Sequence, residues 1–212
     1  GQSMTFDGTN DYIQEPNSFD DFTPGVTISV WAKPTAAGNW ARFLDFGNYD
    51  GTTYSDIIYL SRNATSNSLS FTVYGGTAGT TITATSAITL NEWQMFVATM
   101  DDEGNVVLYK NGLPIQTGTI PQTPAIITRT SNFVGKSNWL ADALYAGSMD
   151  DIYLYNYALT ADNVADMYSD IAGNFCRIRP AYDWDGNCKV DLGDFATFAA
   201  QWLTCGMYPE CP

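Results

Sequence analysis

Between Met4 and about Tyr157, apolar and polar residues alternate in short runs that close on Gly, Asn or Asp. In VTISVWAKP, Val26, Ile28 and Val30 alternate with Thr27, Ser29 and Trp31, and this period of two assigns successive side chains to opposite faces of a sheet. ARFLDFGN, DIIYLSRN, SLSFTVYGG and TTITATSA continue the rhythm, and SMTFDGTNDYIQE gives two strands about a D-G turn. NEWQMFVATMDDEGNVVLYKNGLPIQTG reads as three strands, joined first by an acidic turn and then by Asn111-Gly112, the favoured pair of a type I′ hairpin. NFVGKSNW and YAGSMDDIYLYNYAL complete the series. The period then changes. ALTADNVADMYSD predicts a helix with Thr160 as N-cap, Asp162 and Asn163 in its first turn, and Val164, Met167 and Tyr168 facing the core. FATFAAQWL predicts a second helix, with Phe195, Phe198, Ala199, Trp202 and Leu203 on one stripe. Many short strands with late helices predict an all-β fold, a two-sheet antiparallel sandwich carrying a small C-terminal loop-and-helix appendage.

Ahead of the second helix, DWDGNCKVDLGD places oxygen-bearing side chains at positions 1, 3, 5, 9 and 12 of a calcium-type loop. A hard dication takes six to eight oxygens at about 2.3–2.6 Å, and a tight loop supplies them from alternate residues. Asp183, Asp185, Asn187, Asp191 and Asp194 are the candidate side chains, with the Lys189 carbonyl at the seventh position, and calcium is the expected cofactor. An EF-hand carries Gly at the sixth position and Glu at the twelfth. Here those positions hold Cys188 and Asp194. The alternative is a solvated acidic loop before a helix.

A length of 212 residues suits one large domain or a domain with an appendage. The formal net charge of −14, with no His, repels nucleic acid phosphates and anionic membranes, so neither is an expected partner. No apolar run approaches the roughly 20 residues of a membrane span, so membrane insertion is not expected. Cys176, Cys188, Cys205 and Cys211 all follow residue 175, and an even number crowded into an acidic appendage predicts disulfides and an oxidising compartment. The expected location is secreted, extracellular or at the cell surface, and a start at Gly1 fits a processed mature protein. A helix from about Leu192 to Leu203, roughly 18 Å long at 1.5 Å per residue, separates Cys188 from Cys205. It favours Cys176–Cys188 with Cys205–Cys211 among the three possible pairings. A tetrathiolate zinc site is the competing reading, and the chain lacks its paired C-x-x-C clamps.

The ordered set FDGTNDYI, ISVWAKP, NEWQMFVATMD, VVLYKNGLPI, FVGK and GSMDDIYLYNYALTADNVADMY resembles a laminin-G-like jelly roll of the concanavalin A-like superfamily over residues 1–172. The resemblance implies a two-sheet jelly-roll sandwich whose loops gather at one rim, often around calcium and ligand. Residues 173–212, with Asp at the last loop position and a single exit helix, resemble one repeat of a dockerin. Dockerins carry two such repeats, so cohesin binding is not implied. The laminin-G resemblance nominates Asp11 and Asp150 for a second calcium. The competing reading gives Asp7 and Asp11 to turns and Asp150 to a bulge.

Catalysis is not expected. Glycoside hydrolysis needs a pair of carboxyl groups set across the sugar. The four Glu, Glu15, Glu92, Glu103 and Glu210, include no E-x-D-x-x-E strand, and adjacent Asp150 and Asp151 point to opposite faces. Without His there is no imidazole base. Sugar recognition asks instead for flat rings beside polar groups. Trp40, Tyr49, Tyr54, Trp139 and Tyr145 lie in loop-like segments, with Asn39, Arg42, Asn48, Asp50 and Asn138 as polar companions, whereas Trp31 and Trp93 read as core. For any one of these rings the competing reading is a cap over the sandwich edge. Asn63-Ala64-Thr65 is an acceptor sequon. The expectation is a secreted, non-catalytic recognition module that binds carbohydrate or an extracellular protein through its loop rim. The alternative is a structural subunit of an extracellular filament or surface assembly, in which the appendage docks on a neighbouring copy.

Overall fold

The computed structural model describes residues 2–18 and 20–202. In chain order its strands are β1 (Met4–Asp7), β2 (Ile13–Glu15), β3 (Gly25–Pro34), β4 (Arg42–Tyr49), β5 (Tyr54–Arg62), β6 (Leu69–Gly75), β7 (Ala78–Ala84), β8 (Gln94–Asp101), β9 (Asn105–Lys110), β10 (Leu113–Thr119), β11 (Ser131–Val134) and β12 (Ala146–Tyr155). Two helices follow, α1 (Ala161–Ala172) and α2 (Leu192–Gln201). The strands form two six-stranded antiparallel sheets, β1-β12-β3-β8-β9-β10 and β2-β11-β4-β5-β6-β7. The chain divides into two compact units, Gly1–Tyr168 and Ser169–Pro212, so the division falls within α1 rather than after it.

The alternation that predicts the strands also sorts their faces. Val26, Ile28 and Val30 of β3 enter the core between the sheets with Phe43, Leu44, Leu60, Phe71, Phe96 and Leu108. The opposite face of the first sheet is covered as well. Met95, Val97 and Tyr109 pack there against Val164 of α1, with Trp31, Met167 and Tyr168 partly buried beside them. Trp31 and Tyr168 stack at 5.5 Å between ring centroids. The helix starts where the sequence predicts it, because Thr160 and Asn163 cap each other: Asn163 N donates to Thr160 Oγ1 at 3.2 Å, and Thr160 N donates to Asn163 Oδ1 at 3.3 Å. Trp93 departs from expectation. It precedes β8 and is 40% exposed, outside the core.

The hairpin between β9 and β10 turns at Asn111 (φ 51°) and Gly112 (φ 77°), the positive pair that a type I′ turn requires. Elsewhere aspartates hold the loops. Asp7 Oδ1 accepts from Thr9 N at 2.7 Å and Asn10 N at 3.1 Å, and Asp50 Oδ1 accepts from Thr53 N at 2.7 Å and Thr52 N at 2.8 Å. Asp21 Oδ1 takes both the hydroxyl and the N–H of Thr23. Because donors favour the ionised form, all three carboxyls are held below their ordinary value of 3.8. The sign follows directly. The unfolded chain binds protons more readily at these sites, so their contribution is complete above the ordinary value and is lost as pH falls through the lower folded values. The urea midpoint of the sandwich is therefore expected to drop as pH falls from about 5 to 2. An unchanged midpoint in Asp7→Asn, Asp21→Asn and Asp50→Asn variants would show that these bonds do not carry the acid sensitivity.

Candidate functional site

The outer face of the second sheet is polar and aromatic where its inner face is apolar, from Leu44 and Phe46 to Leu60, Phe71 and Val73. Cross-strand partners share a face, and register sets Asp45 of β4 opposite Tyr59 of β5, Tyr59 opposite Thr72 of β6, and Thr72 opposite Thr81 of β7. Arg42 pairs with Ser61 on the same face, and a bulge between Arg42 and Leu44 lets Phe43 and Leu44 both enter the core. Tyr74 lies over Gly79, where a Cβ would come within 2.6 Å of the tyrosine ring. Together with two loops, this face makes a cavity of about 330 Å³ lined by Trp40, Arg42, Tyr59, Tyr74, Thr81, Trp139 and Asp142. That volume lies at the small end of the range for ligand pockets.

Arg42 organises the cavity. It is 2% exposed, with Nε donating to Asp45 Oδ2 at 3.0 Å, Nη1 to the Trp40 carbonyl at 2.6 Å, and Nη2 paired with Asp142 Oδ2 at 3.0 Å. Its guanidinium carbon sits 4.0 Å from the centroid of Tyr59, 5.5 Å from Trp139 and 6.0 Å from Trp40, a cation held against three rings. Asp45 is fully buried, and Asn138 gives it two more donors, Nδ2 at 2.7 Å and N at 3.2 Å. Burial pushes the Asp45 carboxyl up, while the Arg42 charge and the Asn138 bonds pull the other way.

Both tryptophan loops are fixed. Ser137 Oγ donates to Asp142 Oδ2 at 2.7 Å and accepts from Trp139 N at 3.0 Å, so Asp142 ties the Trp139 loop to Arg42. Ala143 N donates to the Asn39 carbonyl at 2.9 Å, linking this loop to the one that carries Trp40. Trp40 has φ 53°, an unfavourable backbone for a bulky residue and one that recurs at binding sites. The rings form a row. Tyr49 stacks on Tyr54 at 4.4 Å, Tyr54 meets Trp139 at 4.8 Å, and Trp139 meets Tyr74 at 5.7 Å.

Four of the five nominated aromatics, Trp40, Tyr49, Tyr54 and Trp139, thus stand at the cavity or along the row leading from it. Tyr145 does not join them. It is 2% exposed in the core, edge-on to Phe6 at 5.8 Å, with its hydroxyl donating to the Ser148 carbonyl. Tyr59, Tyr74, Thr81 and Asp142 were not singled out in the sequence. For Tyr59 the available signal was its phase in β5, which alternates it with Ile58 and Leu60 and groups it with Ser61. Asn63 Nδ2 donates to Ser70 Oγ at 3.1 Å and Thr83 Oγ1 at 3.3 Å, so the sequon amide is engaged on the sheet.

In the C-terminal unit, carboxylate oxygens of Asp183, Asp185 and Asp194 lie within 4.8 Å of one another, and Asp183 and Asp194 are 3% exposed. Cys188 at the sixth loop position has φ 69°, the conformation for which EF-hands use Gly, and its N–H donates to Asp183 Oδ2 at 3.1 Å. Its side chain forms a disulfide with Cys176. Asp194 Oδ1 accepts from Trp184 N at 2.7 Å, and its Oδ2 accepts from Asp191 N at 2.8 Å. Backbone hydrogen bonds, led by that from Asp191, hold the Asp194 carboxyl below its usual value. Asp191 stands apart from this trio as the N-cap of α2, accepting from Gly193 N at 2.8 Å. Asn187 Nδ2 donates to Asp185 Oδ2 at 3.0 Å, and Lys189 N donates to Asn187 Oδ1 at 2.8 Å.

Asp11 and Asp150 are not brought together. Asp11 Oδ2 accepts from Asp7 N, closing the loop after β1, and Asp150 Oδ1 accepts from Asp151 N (φ 45°) at a bulge in β12. Asp7 pairs with Ala146 and Met4 with Met149, so the Asp11 loop and Asp150 sit at opposite ends of β1. Asp11 takes the turn role and Asp150 the bulge role, and the two do not share a site. Cys205 and Cys211 lie outside the described residues.

No curated protein matches the chain in sequence. Among solved structures, domain 4 of AbnA, an extracellular GH43 arabinanase of Geobacillus stearothermophilus in complex with arabinotriose, is 21% identical with a TM-score of 0.61, over 79% of this chain and 77% of that one. The CBM40 of the Ruminococcus gnavus IT-sialidase, bound to alpha2,3 sialyllactose, is 14% identical with a TM-score of 0.60, over 75% and 96%. A heptameric SAP-like pentraxin of Limulus polyphemus is 15% identical with a TM-score of 0.57, over 78% and 80%. At these identities the likeness is one of fold. Residues 7–165 match a family model in sequence, and by that match the chain belongs to the concanavalin A-like lectin/glucanases superfamily.

Proposed function

We propose that this chain is a non-catalytic carbohydrate-binding module whose ligand lies in the aromatic cavity on the outer face of the second sheet. The observation that carries this reading is the Arg42 cluster: three rings are arranged around a buried cation, beside the hydroxyls of Thr72 and Thr81 on the same sheet face. Rings stack on the C–H faces of a sugar while Thr81 and Asp142 meet its hydroxyls. The structural neighbours support it, since domain 4 of AbnA and the CBM40 were solved with saccharides. Rim binding, as the sequence suggests, becomes binding on the sheet beside the rim. A glycan array probed with the full chain tests the reading. The expected result is a saccharide signal that Trp139→Ala removes, and a signal indifferent to that change would contradict it.

The disulfide between Cys176 and Cys188 supports an extracellular setting, and no helix among the described residues is long and apolar enough to cross a membrane. Calcium belongs in the proposal as the brace of the C-terminal unit. Three carboxylates within 4.8 Å repel one another, two of them buried, and one cation, Arg179 with its Nε 3.2 Å from Asp183 Oδ2, together with backbone N–H groups offsets only part of that charge. Asp183, Asp185 and Asp194 are the residues that would hold a hard dication. Adding calcium is expected to raise the melting temperature of this unit, and Asp194→Ala is expected to abolish the rise while the sandwich melts unchanged. Terbium luminescence sensitised by the adjacent Trp184 gives a second readout. Identical melting curves with calcium and with chelator would contradict the assignment.

Self-assembly remains the second reading, and a specific feature favours it. Ile178, Leu192, Phe195 and Trp202 of the C-terminal unit are all more than half exposed. Polymers in a sizing column, together with an empty glycan array, would favour assembly over carbohydrate binding.

A further inference from the structure

We infer that the aromatic cavity selects uncharged oligosaccharides and rejects sialylated, uronic-acid and sulfated ones. The inference rests on the carbohydrate reading and narrows it. Recognition of a carboxylate or sulfate needs a cation with free donors at the site. Arg42 lines the cavity, yet three of its five N–H donors are already spent on Asp45, the Trp40 carbonyl and Asp142, and the side chain is 2% exposed beneath Tyr59, so it offers no open fork of donors to a carboxylate or sulfate. Its charge is countered by Asp142 and by the Asp45 carboxyl, so the cluster presents no net positive charge to an anion. Lys136 stands two strands from Tyr59 with its ammonium 4.1 Å from the Tyr12 centroid and 4.4 Å from that of Phe133, and it does not line the cavity.

What faces the cavity is built for hydroxyl groups. Asp142 uses Oδ2 for both Ser137 and Arg42, which leaves Oδ1 as an acceptor for a sugar hydroxyl and as a repulsive charge toward an anion. Thr81 adds a hydroxyl that exchanges a hydrogen bond with Thr72 at 2.8 Å. The rings continue past the cavity through Tyr54 to Tyr49, so the stacking surface suits a chain of sugars rather than a single residue. A net charge of −14 across the protein adds to the rejection of acidic glycans at long range.

The test is a glycan array carrying neutral, sialylated, uronic-acid and sulfated oligosaccharides, probed with the full chain and with Trp139→Ala. Signals confined to neutral glycans, lost in Trp139→Ala and unchanged between about 50 and 500 mM NaCl, are the expected result, because screening acts on charged contacts. Trp139-dependent binding of acidic glycans would overturn the selectivity and leave the carbohydrate reading intact. Binding of no glycan, or binding that ignores Trp139, would remove both.

Discussion

Arg42→Ala is expected to destabilise the sandwich by about 3–5 kcal/mol, because it breaks a buried ion pair and leaves one partner behind. Asp45 is fully buried, and after the change only the two Asn138 donors would remain for a carboxylate that has no access to water. The same substitution unties Asp142 and the Trp40 carbonyl, so the Trp139 loop and the Trp40 turn lose their common anchor. Urea unfolding at neutral pH measures the loss. Asp45 without its partner is easier to protonate, so the penalty is expected to shrink as pH is lowered. Combining Arg42→Met with Asp45→Asn is expected to cost less than Arg42→Ala alone, since no buried charge is then left unpaired. A loss under about 1 kcal/mol for Arg42→Ala, the size expected of an exposed pair, would contradict the arrangement.

Trp139→Ala is expected to act on binding more than on folding. Its ring meets Tyr54, Tyr59 and Tyr74 and lies 5.5 Å from the Arg42 guanidinium, so it forms the wall on which a sugar would stack. A central aromatic in a binding site is worth about 2–4 kcal/mol, which is roughly 30- to 1,000-fold in Kd. Titration of a glycan identified on the array checks this, alongside urea unfolding of the same variant. Stability is expected to fall less than in Arg42→Ala, because the ring is only half-buried and its removal strands no charge. Unaltered affinity would place the ligand elsewhere.

How far the chain could be read by eye differs between fold and site. Period-two alternation in β3, the Asn111-Gly112 turn and the Thr160 cap are local patterns, and each appears where the sequence implies it. A site assembled from five segments is not local. Trp40 and Trp139 were legible as aromatics in loops, and Tyr54, read the same way, is the first residue of β5, but Tyr59 and Tyr74 lie within strands, where an aromatic normally signals core. The phase of Tyr59 against Ile58 and Leu60 hints at the outer face, and its pairing with Asp45 and Thr72 assigns it there. Tyr145 illustrates the converse. Its segment has no alternation to mark it as buried, and the chain turns it inward against Phe6 and Phe43. Asp11 and Asp150 each had a turn or bulge role available locally, and the register of β1 with β12 keeps them apart. In the acidic loop, spacing nominates Asp183, Asp185, Asn187, Lys189, Asp191 and Asp194 alike, and the carboxylate oxygens of Asp183, Asp185 and Asp194 lie within 4.8 Å of one another. Spacing could not separate Asp191, which the start of α2 claims as a cap.

The most direct test of the site is an NMR titration that follows the indole N–H signals of the six tryptophans while a glycan selected on the array is added. Trp40 and Trp139 line the cavity, whereas Trp31 lies under α1, Trp93 precedes β8, and Trp184 and Trp202 belong to the C-terminal unit. Binding in the cavity is expected to move the Trp40 and Trp139 signals in proportion to occupancy and to leave those of Trp31 and Trp93 in place. Shifts confined to Trp93, Trp184 or Trp202 would contradict a ligand site on the outer face of the second sheet.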